Sequence, residues 1–317
     1  MPEELSKALA GRYLIEREVG RGGMATVHLV RDLRNDRLVA LKVLHPQLAF
    51  TLGADRFARE IRLAALLDHP NILRVLDSGD VDGQLWFTMA YVEGETLWDR
   101  LQRERQLASA EALRITHATA SALAYAHKQG VVHRDIKPDN ILLSGHEVLV
   151  ADFGVARAVS EVQSKLTATG MLVGTPTYMS PEQATGDPNI DGRSDIFALA
   201  CVTYEMLAGE APFKGATPQM TLMLRLMHPP RPLRPTVNIT EGVESAILKA
   251  LAKDPADRWA TASQFSDALA GRLPAPPPTA KAAPAPTAAP APATAPAPPP
   301  AAQGGIAGAL RRVFRRE

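Results

Sequence analysis

His133-Arg134-Asp135-Ile136-Lys137-Pro138-Asp139-Asn140 sets a carboxylate, a cation and an amide side by side in one short stretch, with Val131-Val132 before it and Ile141-Leu142-Leu143 after it. Polar groups this dense between two apolar runs belong to a loop whose ends are anchored by buried strands. Such a loop can aim several side chains at one phosphoryl centre. Asp135 can orient an attacking hydroxyl and accept its proton, Lys137 can stabilise the charge of a transferring phosphoryl group, and Asn140 can ligate a metal.

Working outward, Asp152-Phe153-Gly154 follows another apolar run, residues 147–151. This puts a carboxylate at a strand end, with a glycine that permits a sharp change of direction. Asp152 is therefore a candidate for holding Mg2+ between phosphates, because that ion takes few protein oxygens and fills its shell with phosphate and water. Upstream, Gly20-Arg21-Gly22-Gly23-Met24-Ala25-Thr26-Val27 lies between two expected strands. Its glycines allow a tight turn that brings backbone N–H groups onto phosphate oxygens. Taken alone, such a string is more often a plain glycine-rich turn. Lys42, in Val39-Ala40-Leu41-Lys42, is a fixed cation on the following strand, and Glu60 is the candidate acid to hold its flexible stem. Singly, each reads as an ordinary exposed charge; together with the loop they form a constellation.

The rest of the chain divides by texture. Alternating or β-branched runs at 13–19, 25–32 and 37–44, with further strands at 73–77 and 85–91, predict an antiparallel sheet. Phe57, Ile61, Ala64, Ala65 and Leu67 recur at helical spacing. Later segments read as helices: a short one at Leu97 and Leu101, then 110–129 ending at Gly130, 196–208 ending at Gly209, 243–252 and 262–270. From Leu273 to Ala302 proline and alanine dominate, so that stretch is read as an extended linker without a core. The division expected is an extension at 1–12, a folded domain at 13–271 (lobes 13–92 and 93–271), a disordered linker at 272–302 and a basic amphipathic tail at 303–317.

The 317 residues carry 35 basic and 34 acidic side chains, a net charge of +1 that offers no overall field for nucleic acid. The single cysteine, Cys201, excludes an intramolecular disulfide and reads as a small buried hydrophobe. No signal peptide or membrane span is expected, since the apolar run at 196–208 falls short of the ~20 residues required. A cytoplasmic location is the expectation. In the tail, Ile306, Ala309, Leu310 and Val313 recur at helical spacing beside Arg311, Arg312, Arg315 and Arg316. Contact with a membrane surface or partner is a weak reading there, because so short a helix is marginal in water.

In their order along the chain, the glycine-rich stretch, Lys42, residues 133–140, Asp152 to Gly154 and Ser180-Pro181-Glu182 resemble the protein-kinase superfamily. Within it they are similar to the bacterial eukaryotic-like (Hanks-type) serine/threonine protein kinases. The resemblance implies an α+β, bilobal protein kinase-like fold: a small antiparallel sheet with one main helix, then a larger, mainly helical lobe. It implies ATP-dependent phosphorylation of serine and threonine hydroxyls on protein substrates, as a non-specific serine/threonine protein kinase in bacterial signalling. Mg2+ is the implied metal, with Mn2+ able to substitute. Lys42 then pairs with Glu60 and contacts phosphates, Asp135 is the catalytic base assisted by Lys137, and Asn140 and Asp152 bind the metal. Val19, Gly20, Arg21, Gly22, Gly23, Met24, Ala25, Val27, Ala40, Met89, Ala90, Val92 and Leu142 match the nucleotide pocket. Thr167 and Thr169 look like twin autophosphorylation sites, within a segment that also holds Ser160 and Ser164. Phe153, Gly154 and Thr175 belong to the activation segment, Glu182 and Arg258 to a buried ion pair, and Asp195 to a brace of the catalytic loop. Relatives often pair through their N-terminal lobes.

The sequence departs from the family pattern at Ala25, in place of the third glycine, at Ala90, where an acid is usual, and at Ser180, in place of alanine. None removes a charge the chemistry uses. The competing readings are a catalytically weak nucleotide-binding scaffold and, less favoured, a small-molecule phosphotransferase; Lys137 and residues 175–182 argue against the second.

Overall fold

The computed structural model describes residues 3–153, 177–234 and 236–273. Gly154, Ser160, Ser164, Thr167, Thr169, Thr175 and nearly all of the linker and tail lie outside them.

The first part is a five-stranded sheet in the order β1-β2-β3-β5-β4. Its strands are β1 (Tyr13–Arg21), β2 (Ala25–Asp32), β3 (Arg37–Leu44), β4 (Val75–Val81) and β5 (Gln84–Ala90), every pair antiparallel. The expected strands at 73–77 and 85–91 exist with boundaries shifted by one or more residues at each end. Alternation along β3 sends Val39, Leu41 and Val43 to one face and Ala40, Lys42 and Leu44 to the other. Both faces are covered. Helix α3 (Ala54–Ala65) packs Phe57, Ile61 and Ala64 into the cluster that contains Ala40, Leu44 and Phe87.

The opposite face is closed by α1 (Glu3–Leu9), whose Leu5 and Leu9 join Tyr13, Val30, Val39, Leu41, Val43 and Trp86 in a second core. The expected extension at 1–12 is thus, over its described residues, part of the folded lobe. Without that helix a sheet face rich in β-branched and aromatic residues would meet water. A short α2 (Pro46–Leu52) precedes α3.

The second part is built on helices. The segment α4 (Leu97–Glu104) starts at a capping box between Thr96 and Asp99. Next comes α5 (Ser109–Lys128); the strands β7 (Ile141–Ser144) and β8 (Glu147–Val150) that follow its loop join β6 (Glu95–Thr96), just before α4, in a small three-stranded sheet of order β6-β7-β8. Helices α6 (Pro181–Ala184), α7 (Gly192–Ala208), α8 (Pro218–Met227), α9 (Glu241–Ala250) and α10 (Ala262–Leu269) complete the lobe. Almost every side chain of α7 from Ser194 to Leu207 is buried, which makes this helix the central post of the lobe. It ends at Gly209, whose φ of 77° lets its N–H reach back to the Glu205 carbonyl. Cys201 is buried in α7, and burial pushes its thiol up to about 12. Leu273, read as the start of the linker, packs against the main core. Among the described residues no helix is long and apolar enough to cross a membrane.

The two parts are stitched at β8. Val150 N–H donates to the Asn71 carbonyl and its own carbonyl accepts from Leu73 N–H, both at 2.9 Å, while Asn71 Nδ2 donates to the Val148 carbonyl at 2.9 Å. The strand that leads into Asp152 is therefore fixed to the chain just before β4.

Candidate active site

Strand register lines up the nucleotide-pocket candidates. Gly20 pairs with Val27, Val27 with Lys42, Ala40 with Met89 and Val39 with Ala90. Val19, Gly20 and Arg21 thus close β1, Ala25 and Val27 open β2, and Ala40 and Lys42 sit mid-β3, followed in the chain by Met89 and Ala90 on β5 and Leu142 on β7. Val92 follows β5 and packs, partly buried, against the main core. The turn of Gly22, Gly23 and Met24 is closed by Gly22 N–H donating to the Ala25 carbonyl at 2.9 Å. Ala25 itself is buried in the core as the first residue of β2. Arg21 turns away to an exposed ion pair with Glu18, at 2.9 Å.

On a face otherwise filled by apolar side chains, Lys42 is the exception. Its Nζ donates to Asp152 Oδ2 at 2.5 Å. The pair expected between Lys42 and Glu60 is not what this structure displays: among the described residues, Asp152 is the carboxylate within ion-pair distance of Lys42. Glu60 is buried on α3. The physical reason is local, since Asp152 has a φ of 67°, in the left-handed region, and its desolvated carboxylate takes the nearest cation. Burial works against ionisation of Asp152, but the charge and hydrogen bond of Lys42 win and hold it below the usual carboxylate range. The other oxygen, Oδ1, is buried and has no hydrogen-bond partner among the described residues.

The catalytic-loop candidates converge on Asp135. Lys137 Nζ donates to Asp135 Oδ2 at 2.7 Å, and Asn140 Nδ2 donates to the same oxygen at 3.2 Å and to the Asp135 carbonyl at 2.8 Å. Burial alone would lower the Lys137 pKa, yet the carboxylates around it, Asp135 first and then Asp139 and Asp152, leave it raised. The loop is tied to the Asp152 strand by Ala151 N–H donating to the Asn140 carbonyl at 2.9 Å.

Two histidines that sequence reading left without a role hold this frame. Asp135 N–H donates to His133 Nδ1 at 3.2 Å, so the ring proton sits on Nε2, which donates to the Ala151 carbonyl at 2.8 Å. The fully buried His133 ring also meets Phe153 edge-on, with centroids 4.6 Å apart. Asp195, buried at the start of α7, accepts from His127 Nε2 at 2.7 Å, His133 N–H at 2.8 Å and Arg134 N–H at 2.7 Å. Burial opposes its charge, but these donors outweigh that and keep it ionised below the usual range. The sequence signal for His127 was only its position near the end of a helix whose other face is apolar.

Farther out, Arg258 Nη1 and Nη2 donate to Glu182 Oε1 and Oε2, both at 2.7 Å, in a buried fork. Ser194 Oγ also donates to Glu182, at 2.5 Å. Gly154, Thr167, Thr169 and Thr175 have no described position.

Residues 13–269 match the family model described as the protein kinase domain. The chain belongs to the protein kinase family. This kinase domain is 41% identical over 267 residues to the serine/threonine-protein kinase PknB of Mycolicibacterium smegmatis, covering 81% of this chain and 42% of that protein. It is 42% identical over 287 residues to the serine/threonine-protein kinase PknJ of Mycobacterium tuberculosis, covering 86% of this chain and 47% of that one. The chain therefore spans less than half the length of these curated relatives. Among solved structures, that of Rad53 1–466 in complex with AMP-PNP aligns with a TM-score of 0.69 at 24% identity, covering 82% of this chain and 65% of the other, which establishes the kinase fold.

Proposed function

We propose that this chain transfers the γ-phosphoryl group of ATP to serine and threonine hydroxyls of proteins. The observation that carries the reading is the Asp135 carboxylate, held by Lys137 and Asn140 in a loop bonded to the strand end where Lys42 meets Asp152. The names of PknB and PknJ, and the nucleotide analogue in the Rad53 complex, support it.

The residues divide the work. Lys42 offers a cation to phosphate oxygens once it exchanges Asp152 for nucleotide. The glycine-rich turn of residues 20–25 is the candidate to bring peptide N–H groups onto phosphate oxygens. Asp135 orients the acceptor hydroxyl and takes its proton, and Lys137, already bonded to Asp135, neutralises charge as it develops. Asp152 Oδ1, buried and without a donor among the described residues, suits a hard cation, and the side-chain oxygen of Asn140 is a neighbouring candidate ligand. When bound, a divalent metal there neutralises phosphate charge. Among the described residues no group of three or more His, Cys, Asp or Glu is placed to hold a metal. We favour Mg2+, with Mn2+ as a substitute.

Thr167 and Thr169 are the proposed self-modified positions, and the small lobe, where Leu14, Leu33 and Leu38 stand exposed, the proposed surface for pairing of two copies. Cytoplasmic location is part of the same reading.

The test is incubation with labelled ATP and Mg2+, comparing the protein with Asp135→Asn. Label on a generic protein substrate, and phosphate on Thr167 or Thr169 found by mass spectrometry only in the unaltered protein, is the expected result. Equal labelling by both proteins would refute the proposal.

A further inference from the structure

Gln183 lies in α6, the short helix at the end of the activation segment, and both ends of its amide are committed. Its Oε1 accepts from Ser180 N–H at 3.0 Å and from Ser180 Oγ at 3.1 Å, and Gln183 N–H donates back to Ser180 Oγ at 3.4 Å, a reciprocal capping box. Its Nε2 donates to the Arg134 carbonyl at 2.8 Å. The orientation of the amide is fixed by its partners, because a peptide N–H can only donate and a carbonyl can only accept.

That carbonyl belongs to the peptide plane immediately before the Asp135 α-carbon. The N–H of the same plane donates to His133 Nδ1 at 3.2 Å. The plane is therefore clamped at both ends, by Gln183 on its oxygen and by His133 on its nitrogen. The clamp acts where the backbone needs it, since Arg134 has a φ of 67°, a left-handed conformation disfavoured for a long side chain. Asp195 secures the preceding plane through the Arg134 N–H, at 2.7 Å.

We propose that Gln183 is a positioning residue for Asp135, so that seating the cap of α6 also sets the aim of the Asp135 carboxylate. The inference rests on the reading of Asp135 as proton acceptor. It makes one side chain the link between the end of the activation segment and the reacting centre. An activation segment whose end is not seated would leave the Arg134 carbonyl without its donor and the Asp135 plane free to tilt.

Two substitutions separate this role from simple stabilisation. Gln183→Glu keeps the acceptor that caps Ser180, for which glutamate serves as well as glutamine, but loses the N–H to Arg134. Gln183→Met, neutral and of similar length, loses both. With the intact chain, ATP, Mg2+ and a generic protein substrate, kcat falls about 10- to 100-fold in each variant, with KM for ATP unchanged. Both variants lower the melting temperature, Gln183→Glu because an acceptor then faces the Arg134 carbonyl and Gln183→Met because the cap is lost as well. Matching losses of kcat in a charged and an uncharged variant exclude a mere charge effect. The inference is overturned if either variant retains the kcat of the unaltered protein, or if the fall in kcat comes with a raised KM for ATP. A protein that labels substrate no better than Asp135→Asn would instead remove the functional reading and this inference with it.

Discussion

Lys42 and Asp152, 110 positions apart in the chain, meet through a 2.5 Å ion pair between Nζ and Oδ2. Both side chains are mostly withdrawn from water, at 17% and 16% exposure. Replacing Lys42 by methionine leaves the Asp152 carboxylate desolvated and without its cation. The expected cost is about 3 kcal/mol, read as a lower urea midpoint in the absence of nucleotide, together with loss of phosphoryl transfer. Asp152→Asn removes the desolvated charge as well, so it should cost less stability than Lys42→Met while abolishing transfer equally.

The Glu182–Arg258 fork is more deeply enclosed, with the Arg258 side chain fully buried. Arg258 Nε also donates to the Ala252 carbonyl at 2.8 Å, Nη2 to the Lys253 carbonyl at 3.0 Å and Nη1 to the Arg193 carbonyl at 3.1 Å. Arg258→Met should cost about 3–5 kcal/mol, since it strands a buried carboxylate and empties several carbonyls. Glu182→Gln should cost less, because the amide oxygen still accepts. Denaturant titration of the two variants gives the ranking.

Asp195 accepts from three donors on two oxygens, which asparagine cannot do. In Asp195→Asn one of the backbone N–H groups of His133 and Arg134, or His127 Nε2, faces an amide N–H instead. We expect a loss of about 2–3 kcal/mol. A roughly 100-fold lower kcat should accompany it, as the loop that carries Asp135 shifts. Steady-state kinetics beside thermal melting test both.

Lys253 supplies a pH dependence. Burial, reinforced by the charges of Arg225 and Arg258, lowers its pKa from 10.5 to about 7. The folded protein therefore holds this lysine neutral between about pH 7 and 10.5, while the unfolded chain still protonates it. Unfolding takes up a proton in that window, so the contribution of Lys253 to stability rises from pH 7 toward pH 10 and is least below pH 7. The melting-temperature difference between the unaltered protein and Lys253→Met should move in favour of the former as pH rises across this range. An unchanging difference would contradict the assignment.

The helix α1 offers a packing test. Leu5 is 1% exposed and Leu9 5%, both against Tyr13 and Trp86. Leu5→Ala should cost about 2–3 kcal/mol, near the lower end for a buried leucine because a terminal helix can settle into the space. Urea denaturation of Leu5→Ala beside an exposed control, Leu66→Ala, which should change stability little, checks this.

Much of the architecture was legible because periodicity acts locally. Strand alternation at 25–32 and 37–44 coincides with β2 and β3, and the apolar spacing after Ser109 and Glu241 marks α5 and α9. Among the described residues four helices were not foreseen, one of them the single-turn α6. Residues 3–9 are largely polar, and only the tertiary contact of Leu5 and Leu9 with a distant sheet face makes them helical in context. Residues 46–52 and 218–227 each begin with proline, and the second leaves Met220, Met223 and Met227 exposed, so no inward stripe announces it.

Which residue types are candidates for the chemistry was legible in the sequence alone: a loop dense in Asp, Lys and Asn between apolar strands, a glycine-rich turn, and a lysine on a strand have few other uses in that order. Which of them touch was decided only on folding. Lys42 lies within range of any carboxylate the tertiary contacts deliver, and the left-handed backbone at Asp152 delivers that one. Likewise the two histidines and the amide of Gln183 found their partners through loops brought together from far along the chain. Hydrogen bonds are satisfied by proximity in space, which spacing along the chain does not encode.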